Sequence, residues 1–172
     1  AAAHSATQAK RSLENKVAGR ETIAVDPRLT GAKKFVPIVK NDFQVLVDLA
    51  ASTQALLPKG HANKKAIFPG KSFLNQEIEA AVRARRAFDD AKYSLETENK
   101  RLHDAHANNF APAAKQNAQN AYNQALLAYN ASTSQFLTAV GQIEARHNSL
   151  HAQCLAWLAQ CVQQIVPKYQ SL

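Results

Sequence analysis

The sequence is poor in the two residues that interrupt helices. Its 172 residues include five glycines and six prolines, and the stretch from Ala113 to Val166 contains Gly141 but no proline. Because Gly and Pro are the least favourable residues in a helix interior, this stretch has the composition of one continuous helix. The sequence also contains no Met, even at position 1, which suggests a fragment or a processed N-terminus.

Signals for membrane insertion and secretion are missing too. No apolar run approaches the roughly 18 residues of a transmembrane helix, and the opening segment lacks the apolar core of a signal peptide. We therefore expect a cytoplasmic protein. The two cysteines, Cys154 and Cys161, are separated by about 10 Å along a helix, which is too far for a disulfide between them. We expect both to be buried, reduced thiols.

Motifs for catalysis are also absent. The chain has no Gly-rich phosphate loop, no CxxC, no HExxH and no nucleophile motif. His147, His151 and Cys154 have the spacing of metal ligands on neighbouring helical turns, although a seam position, with the histidine satisfied by a partner chain, is the simpler interpretation. Asp89 and Asp90 are adjacent, so on a helix they point about 100° apart and do not form an acid/base pair. The sequence predicts no enzyme activity, no cofactor and no metal.

Charge is abundant but unevenly distributed. The formal net charge is +8, yet from Ala111 to Leu172 the charged side chains are only Lys115, Glu144, Arg146 and Lys168. The basic excess therefore lies in residues 1–110. Such an excess favours an acidic partner, which can be nucleic acid, an anionic membrane or an acidic protein. Because the aromatic interleaving and recognition motifs of nucleic-acid binders are missing, we expect no nucleic-acid partner.

Hydrophobic periodicity predicts three core helices. Residues 1–19, which precede them, are either a weakly amphipathic basic helix or a disordered N-terminal tail. A break at residues 19–34 contains turn dipeptides, and Pro37 suits a first helical position. Ser72 is a plausible N-cap for the second helix, which we expect to end in the turn His103–Pro112. The predicted core helices begin near Pro37, Ser72 and Ala113 and end near Leu57, His103 and Val166.

The third helix carries the clearest pattern in the chain, an apolar seam with alternating spacings of four and three. At 1.5 Å per residue this helix is roughly 80 Å long, about twice the diameter of a compact globule of this size. The sequence therefore predicts an elongated bundle, and the wide apolar stripe favours a second subunit that completes the core. The seam residues are Tyr122, Leu126, Tyr129, Thr133, Phe136, Val140, Ile143, His147, Leu150, Cys154, Trp157 and Cys161.

The second helix has a shorter seam that is half polar. Apolar residues recur at intervals of seven, and basic or amide side chains lie between them. The same helix carries basic residues mixed with acidic ones, so its charges are as easily a solvated face as a binding site. The seam residues are Leu74, Ala81, Phe88, Leu95 and Leu102, with Arg85, Lys92 and Asn99 between them.

A segment rich in lysine joins the first two core helices. Residues 58–72, PKGHANKKAIFPGKS, are here called the basic segment. Its lysines, Lys59, Lys64, Lys65 and Lys71, surround the apolar pair Ile67 and Phe68, and it contains no acidic residue. An apolar pair inside a cationic loop is unusual for a plain linker, and it favours a binding role.

Several segments resemble BAR domains of the amphiphysin and endophilin type. RARRAFDDAKYSLE, Arg83 to Glu96, is similar to the family's middle helix, with its basic residues followed by an aromatic-Asp-x-Ala-basic run. KRSLENKVAG resembles the amphipathic N-terminal segment, FQVLVDLAASTQALLP the first helix, and AYNQALLAYNASTSQFLTAV with CLAWLAQCVQQI the long last helix. The basic segment resembles the endophilin-type insert. The chain is shorter than the family between Leu57 and Leu74.

The resemblance implies an all-α fold, an elongated three-helix antiparallel coiled-coil bundle that dimerises into a six-helix core. Residues 1–19 would form the amphipathic N-terminal segment, and residues 20–172 the BAR-like helical domain. It also implies a peripheral membrane protein, a curved homodimer that senses or generates curvature on anionic phospholipid membranes. The alternative is a coiled-coil scaffold without lipid activity. The expected lipid contacts are Lys10, Arg11, Lys16, Lys59, Lys64, Lys65, Ile67, Phe68, Lys71, Arg83, Arg86 and Lys92.

Overall fold

The computed structural model describes residues 2–17, 23 and 25–170, without the side chains of residues 12 and 15–17. Over these residues the protein is all-α and contains no strand. None of the helices in this part of the chain is both long and apolar enough to cross a bilayer. The helices are α1 (Ala2–Val17), α2 (Pro27–Leu56), α3 (Pro69–Ser72), α4 (Glu79–Ala107) and α5 (Pro112–Gln170).

Helix α2 begins at Pro27, so the predicted start near Pro37 is wrong. Asp26 acts as its N-cap, because the Asp26 carboxylate accepts a hydrogen bond of 2.9 Å from the backbone N–H of Arg28. Pro27 takes the first helical position, where its missing N–H costs nothing. The predicted break at residues 19–34 is thus helical from residue 27, and residues 19–22 and 24 lie outside the described part.

Pro37 lies inside α2 and leaves one carbonyl without its helical donor. A proline has no N–H, so the carbonyl of Lys33, four residues earlier, is not paired within the helix. The Nη1 atom of Arg85 donates to this carbonyl over 3.1 Å. The arginine therefore supplies the hydrogen bond that the proline removes.

The helix after the basic segment begins at Pro69, so the prediction of Ser72 as N-cap is wrong. Phe68 holds the N-cap position, Pro69 is at the start of the helix, and Ser72 makes no side-chain cap bond. The last residues of the basic segment are therefore helical. The chain continues as a π-helical stretch, Phe73–Ile78, and then as α4. Phe73 and Ile78 are five residues apart, the π-helical repeat, and both are buried.

A left-handed residue closes α4 where the sequence predicts a turn. Asn109 has a φ of 47°, the conformation that most often ends a helix. The N–H of Phe110 bonds to the carbonyl of Ala105 over 3.0 Å, and the N–H of Asn109 bonds to that of His106 over 3.2 Å. These paired bonds form a Schellman motif, which satisfies the last carbonyls of the helix.

Helix α5 confirms the long helix predicted from Ala113 to Val166, and it extends slightly beyond both ends. The predicted seam residues of this helix are all buried or half-buried. Cys154 and Cys161 are free and buried, as expected. Burial raises the pKa of both thiols above the ordinary cysteine value, because a thiolate is costly in an apolar environment.

The chain divides into two compact units. Unit 1 comprises Ala1–Lys33 and Val82–Thr138, and unit 2 comprises Lys34–Ala81 and Ala139–Leu172. The core of unit 1 contains Phe88, whose ring packs 5.6 Å from that of Tyr129 and 6.1 Å from that of Phe136. The core of unit 2 contains Phe43 and Phe73, with ring centroids 4.6 Å apart. The domain boundaries expected from the sequence remain a prediction.

Substituting alanine for two glycines of unit 2 is expected to change the free energy of unfolding in opposite directions. A Cβ on Gly70 would lie 2.9 Å from a ring carbon of Phe68 and 3.0 Å from the sulfur of Cys154, whereas nothing lies within 4 Å of a Cβ on Gly141. We expect Gly70→Ala to lower the free energy of unfolding by about 1–3 kcal/mol through overpacking. Gly141→Ala should raise it by about 0.5–1 kcal/mol, because alanine loses less backbone entropy in a helix. Urea unfolding measures both, and shifts of the same sign would contradict the packing described for Gly70.

Candidate functional site

The basic segment is held in one conformation by hydrogen bonds inside unit 2. The side-chain Nε2 of Gln54, on α2, donates to the carbonyls of Asn63 over 2.9 Å and of Ala66 over 2.7 Å. The ring of His61 accepts a 3.1 Å bond from the backbone N–H of Asn63 and so begins a short 3-10 turn, Ala62–Lys64. These bonds satisfy backbone groups that a flexible linker would leave to water.

Lys64 and Phe68 are internal anchors of the segment, which corrects their expected role in lipid contact. The Nζ atom of Lys64 donates to the carbonyls of Ala55 over 2.9 Å and Leu57 over 2.8 Å, at the C-terminus of α2. A cation is favourable there, because the last carbonyls of a helix carry partial negative charge. Phe68 is 4% exposed, and its ring lies 5.2 Å from that of Trp157. A side chain already packed in the core is not a membrane wedge.

The remaining predicted residues of the segment face solvent. Lys59, Lys65 and Lys71 are exposed, and Ile67 is 80% exposed. Lys65, Ile67 and Lys71 also line an open cleft of about 250 Å³ against α2, with Val47 among the other lining residues. The anchors thus hold an apolar side chain outward beside two exposed lysines, Lys65 and Lys71, an arrangement that suits a ligand with both phosphate and hydrocarbon parts.

The predicted cations of α4 divide into two kinds. Arg83 and Arg86 are exposed. Lys92 is half-buried and lies 3.5 Å from the carboxylate of Glu96, so its ammonium group is already paired. Arg85, which we did not expect to contact lipid, is internal, since it bonds to the Lys33 carbonyl. Of the three cations predicted on α4, Arg83 and Arg86 are therefore accessible to an anionic ligand, and Lys92 is not.

The predicted cations of α1 also differ in accessibility. Lys10 is exposed, with its Nζ 3.9 Å from a carboxylate oxygen of Glu14. Arg11 forms an ion pair with Asp90, and its guanidinium lies 5.2 Å from the centroid of the Tyr93 ring. The hydrogen bond that Arg11 donates to the Asp90 carboxylate raises the pKa of Arg11 above its ordinary value. The side chain of Lys16 lies outside the described residues.

A buried carboxylate at Asp89 organises unit 1, and the sequence did not reveal it. The side chain of Asp89 is 2% exposed and lies 2.7 Å from the Nζ of Lys33 and 2.7 Å from the Nε2 of His4. Gln8 donates to it over 3.0 Å, and the Nε of Arg85 is 3.9 Å away. A buried charge is tolerated when it is paired in this way. The one available signal was an acid beside Phe88 of the seam, four residues after an arginine.

The histidines suggested as metal ligands contact aromatic rings instead. The ring of His147 lies edge-on to Phe35 at 5.3 Å, and that of His151 lies edge-on to Phe43 at 6.1 Å. Within the described part of the chain, His, Cys, Asp and Glu side chains form no group of three or more that could hold a metal ion. Both histidines are half-buried and pack edge-on against aromatic rings of unit 2.

Unit 2 presents apolar side chains to solvent on two helices. Those on α2 recur at intervals of seven and four, and those on α5 at intervals of seven, four and three, so each set forms a stripe along its helix. Helix α5 carries no charged residue between Arg146 and Lys168. The two sets, here called the outer stripes, are Ile38, Val45, Leu49 and Leu56 on α2 and Leu155, Val162, Val166 and Tyr169 on α5.

Comparison with known proteins adds no relative. No protein-family model matches the chain, and neither a curated protein nor a solved structure matches it. The chemistry of the site is therefore argued from the geometry of this chain alone.

Proposed function

We propose that the protein binds anionic phospholipid membranes peripherally, and that it senses or generates membrane curvature as a BAR-like homodimer. The observation that carries the proposal is the anchored basic segment, which exposes Ile67 beside Lys65 and Lys71, exposes Lys59 as well, and contains no acidic residue. Phosphate groups pair with the ammonium groups, while the isoleucine reaches the apolar layer beneath them. A large side chain that is 80% exposed is otherwise unfavourable in water.

The affinity available from these residues is appreciable. A lysine near an anionic leaflet contributes about 1 kcal/mol, and the three exposed lysines of the segment act together. Two copies in one homodimer convert the second contact into an intramolecular event and so raise the overall affinity further. Exposed Arg83 and Arg86 add cationic groups on α4.

The outer stripes support the homodimer. Contiguous exposed apolar surface usually marks an interaction site, and the stripes have the spacing with which helices pack against helices. A second copy presents the same stripes, so an isologous contact would cover them on both partners. The absence of charge on α5 between Arg146 and Lys168 suits a surface that is buried in the assembly.

A coiled-coil scaffold without lipid activity is the second candidate, and the same outer stripes favour it. It requires the homodimer but gives no role to Ile67 and the lysines around it. The two functions therefore differ in one measurable property, which is salt-sensitive binding to anionic vesicles.

Neutralising Lys65 and Lys71 tests the membrane function. We expect Lys65→Gln with Lys71→Gln to weaken binding to phosphatidylserine vesicles at least about 30-fold, since two contributions of about 1 kcal/mol are lost from each subunit of the homodimer. Lys64 is left intact because it caps α2. Co-sedimentation over a range of lipid concentrations measures the change.

A matched control removes the same charge elsewhere. Lys34→Gln with Lys115→Gln lowers the net charge equally, but both residues lie outside the basic segment. We expect this variant to bind vesicles within about threefold of the unaltered protein, since diffuse charge is screened at physiological salt. If both variants lost vesicle affinity equally, binding would depend on net charge and not on the basic segment. If the unaltered protein did not bind vesicles, the scaffold function would be favoured.

A further inference from the structure

Helix α1 packs on unit 1 through its polar face. His4, Gln8 and Arg11 follow spacings of four and three, so they share one side of the helix, and all three are half-buried. The apolar and small residues of α1 whose side chains the structure describes are exposed instead, Leu13 at 62%, together with Ala2, Ala6 and Ala9. An amphipathic helix that docked by hydrophobic burial would have the opposite orientation. Polar contacts therefore hold α1.

These contacts end on two adjacent carboxylates of α4. The Nε2 of His4 lies 2.7 Å from one oxygen of Asp89, and Gln8 donates to the other over 3.0 Å. Arg11 pairs with Asp90 and lies over the Tyr93 ring. Asp89 therefore contacts His4 and Gln8, and Asp90 contacts Arg11, which follows them along α1. Asp89 and Asp90 thus form a docking site, here called the acidic pair.

The docking is built to be reversible. Asp89 is also paired with Lys33, 2.7 Å away, so this buried carboxylate keeps a cationic partner when α1 leaves. Asp90 is exposed to solvent, so it can be hydrated when Arg11 leaves. Partly exposed ion pairs are weak and screened by salt. Undocking of α1 therefore leaves no buried charge unpaired.

We propose that α1 is an autoinhibitory latch, in which the acidic pair holds Arg11 away from the membrane until anionic lipid headgroups compete for it. The inference rests on the proposed membrane function, since the competitor is the lipid phosphate. In the docked state the guanidinium of Arg11 is neutralised by Asp90. At an anionic surface the same guanidinium pairs with phosphate, which is favoured because Arg binds phosphate in a bidentate manner. The released helix then adds its cations to those of the basic segment.

The latch is tested first without lipid, by hydrogen exchange of the α1 amides. We expect Asp90→Asn to raise the exchange rate over residues 2–17 about three- to fivefold, because docking loses its exposed ion pair. The charge-swapped protein, Arg11→Asp with Asp90→Arg, should restore the slow exchange. Asp104→Asn is the matched control, since it removes the same charge from α4 but its partner is Lys100. Unchanged exchange in Asp90→Asn, or no restoration by the swap, would overturn the latch.

The competition is tested with vesicles of phosphatidylserine and phosphatidylcholine. We expect Asp90→Asn to bind at least threefold more tightly than Asp104→Asn at the same salt concentration, because Arg11 is released in advance. Equal binding by the two variants would overturn the competition even if exchange rises. No binding by the unaltered protein would contradict the membrane function instead, and the exchange measured without lipid would still decide whether α1 is latched.

Discussion

Replacing Asp89 with alanine is expected to lower the free energy of unfolding by about 3–5 kcal/mol, because removing one member of a buried ion pair leaves the other uncompensated. The substitution would leave Lys33 and Arg85 facing each other's charge inside unit 1, where their side chains are 16% and 17% exposed. The Nε of Arg85 already has no hydrogen-bond partner. Urea unfolding followed by the helical circular dichroism signal measures the loss at a fixed protein concentration.

Asp90 provides the control for this prediction. It is the next residue, it is acidic and it pairs with Arg11, but its side chain is 60% exposed. Exposed ion pairs contribute about 0–1 kcal/mol, so we expect Asp90→Ala to cost less than about 1 kcal/mol. If the two alanine variants were equally stable, the buried network around Asp89 would not exist as described.

Lysine at an outer stripe is expected to weaken self-association at least a hundredfold. Leu49→Lys or Val162→Lys places a charge where the proposed homodimer buries apolar surface, and burying an unpaired charge is strongly unfavourable. Each residue is about half exposed in the single chain, so the substitution should not disturb the core. Sedimentation equilibrium measures the dissociation constant directly.

Gln44→Lys is the matched control for the outer stripe. Gln44 is an exposed polar residue of α2 outside the stripe, and its side chain bonds to Asp48 over 3.0 Å. A lysine there adds the same charge and keeps an acidic partner four residues away. We expect its dissociation constant to stay within about threefold of the unaltered protein. Equal dissociation by Leu49→Lys and Gln44→Lys would place the interface elsewhere.

Regular patterns made the long helix predictable from the sequence. Between Pro112 at its start and Pro167 near its end, helix α5 contains no proline, and its seam repeats without interruption, so local preference and burial agree along this length. The start of α2 was not predictable in the same way, because Asp26, Pro27 and Gly31 occur in turns as often as at helix ends. What decides there is the burial of Leu29 and Val36, which extends the stripe of α2 backwards.

The candidate site was only partly predictable, because loops have no periodicity that assigns a side chain to a face. Ile67 and Phe68 are adjacent and equally apolar, yet one is exposed and the other packs on Trp157. The role of Asp89 depends on His4, 85 residues away in sequence, and no local rule joins two such positions. The lysine-rich composition identifies the basic segment in the sequence. Tertiary contacts, however, decide which of its side chains are exposed and can bind a ligand.

Within unit 1, the bond between Arg85 and the Lys33 carbonyl favours one alignment of the start of α2 with α4. In the rest of a regular helix interior the backbone groups are already hydrogen-bonded within the helix. Two such helices can therefore shift by one turn relative to each other at little cost in polar contacts. In the interior of α2 proline frees one carbonyl, that of Lys33, and slippage would leave this part-buried acceptor without the hydrogen bond from Arg85. Pro37 weakens α2 by one hydrogen bond, but the carbonyl that it frees gives the neighbouring helix a specific contact point. Such a contact favours one alignment among several that hydrophobic packing alone would permit.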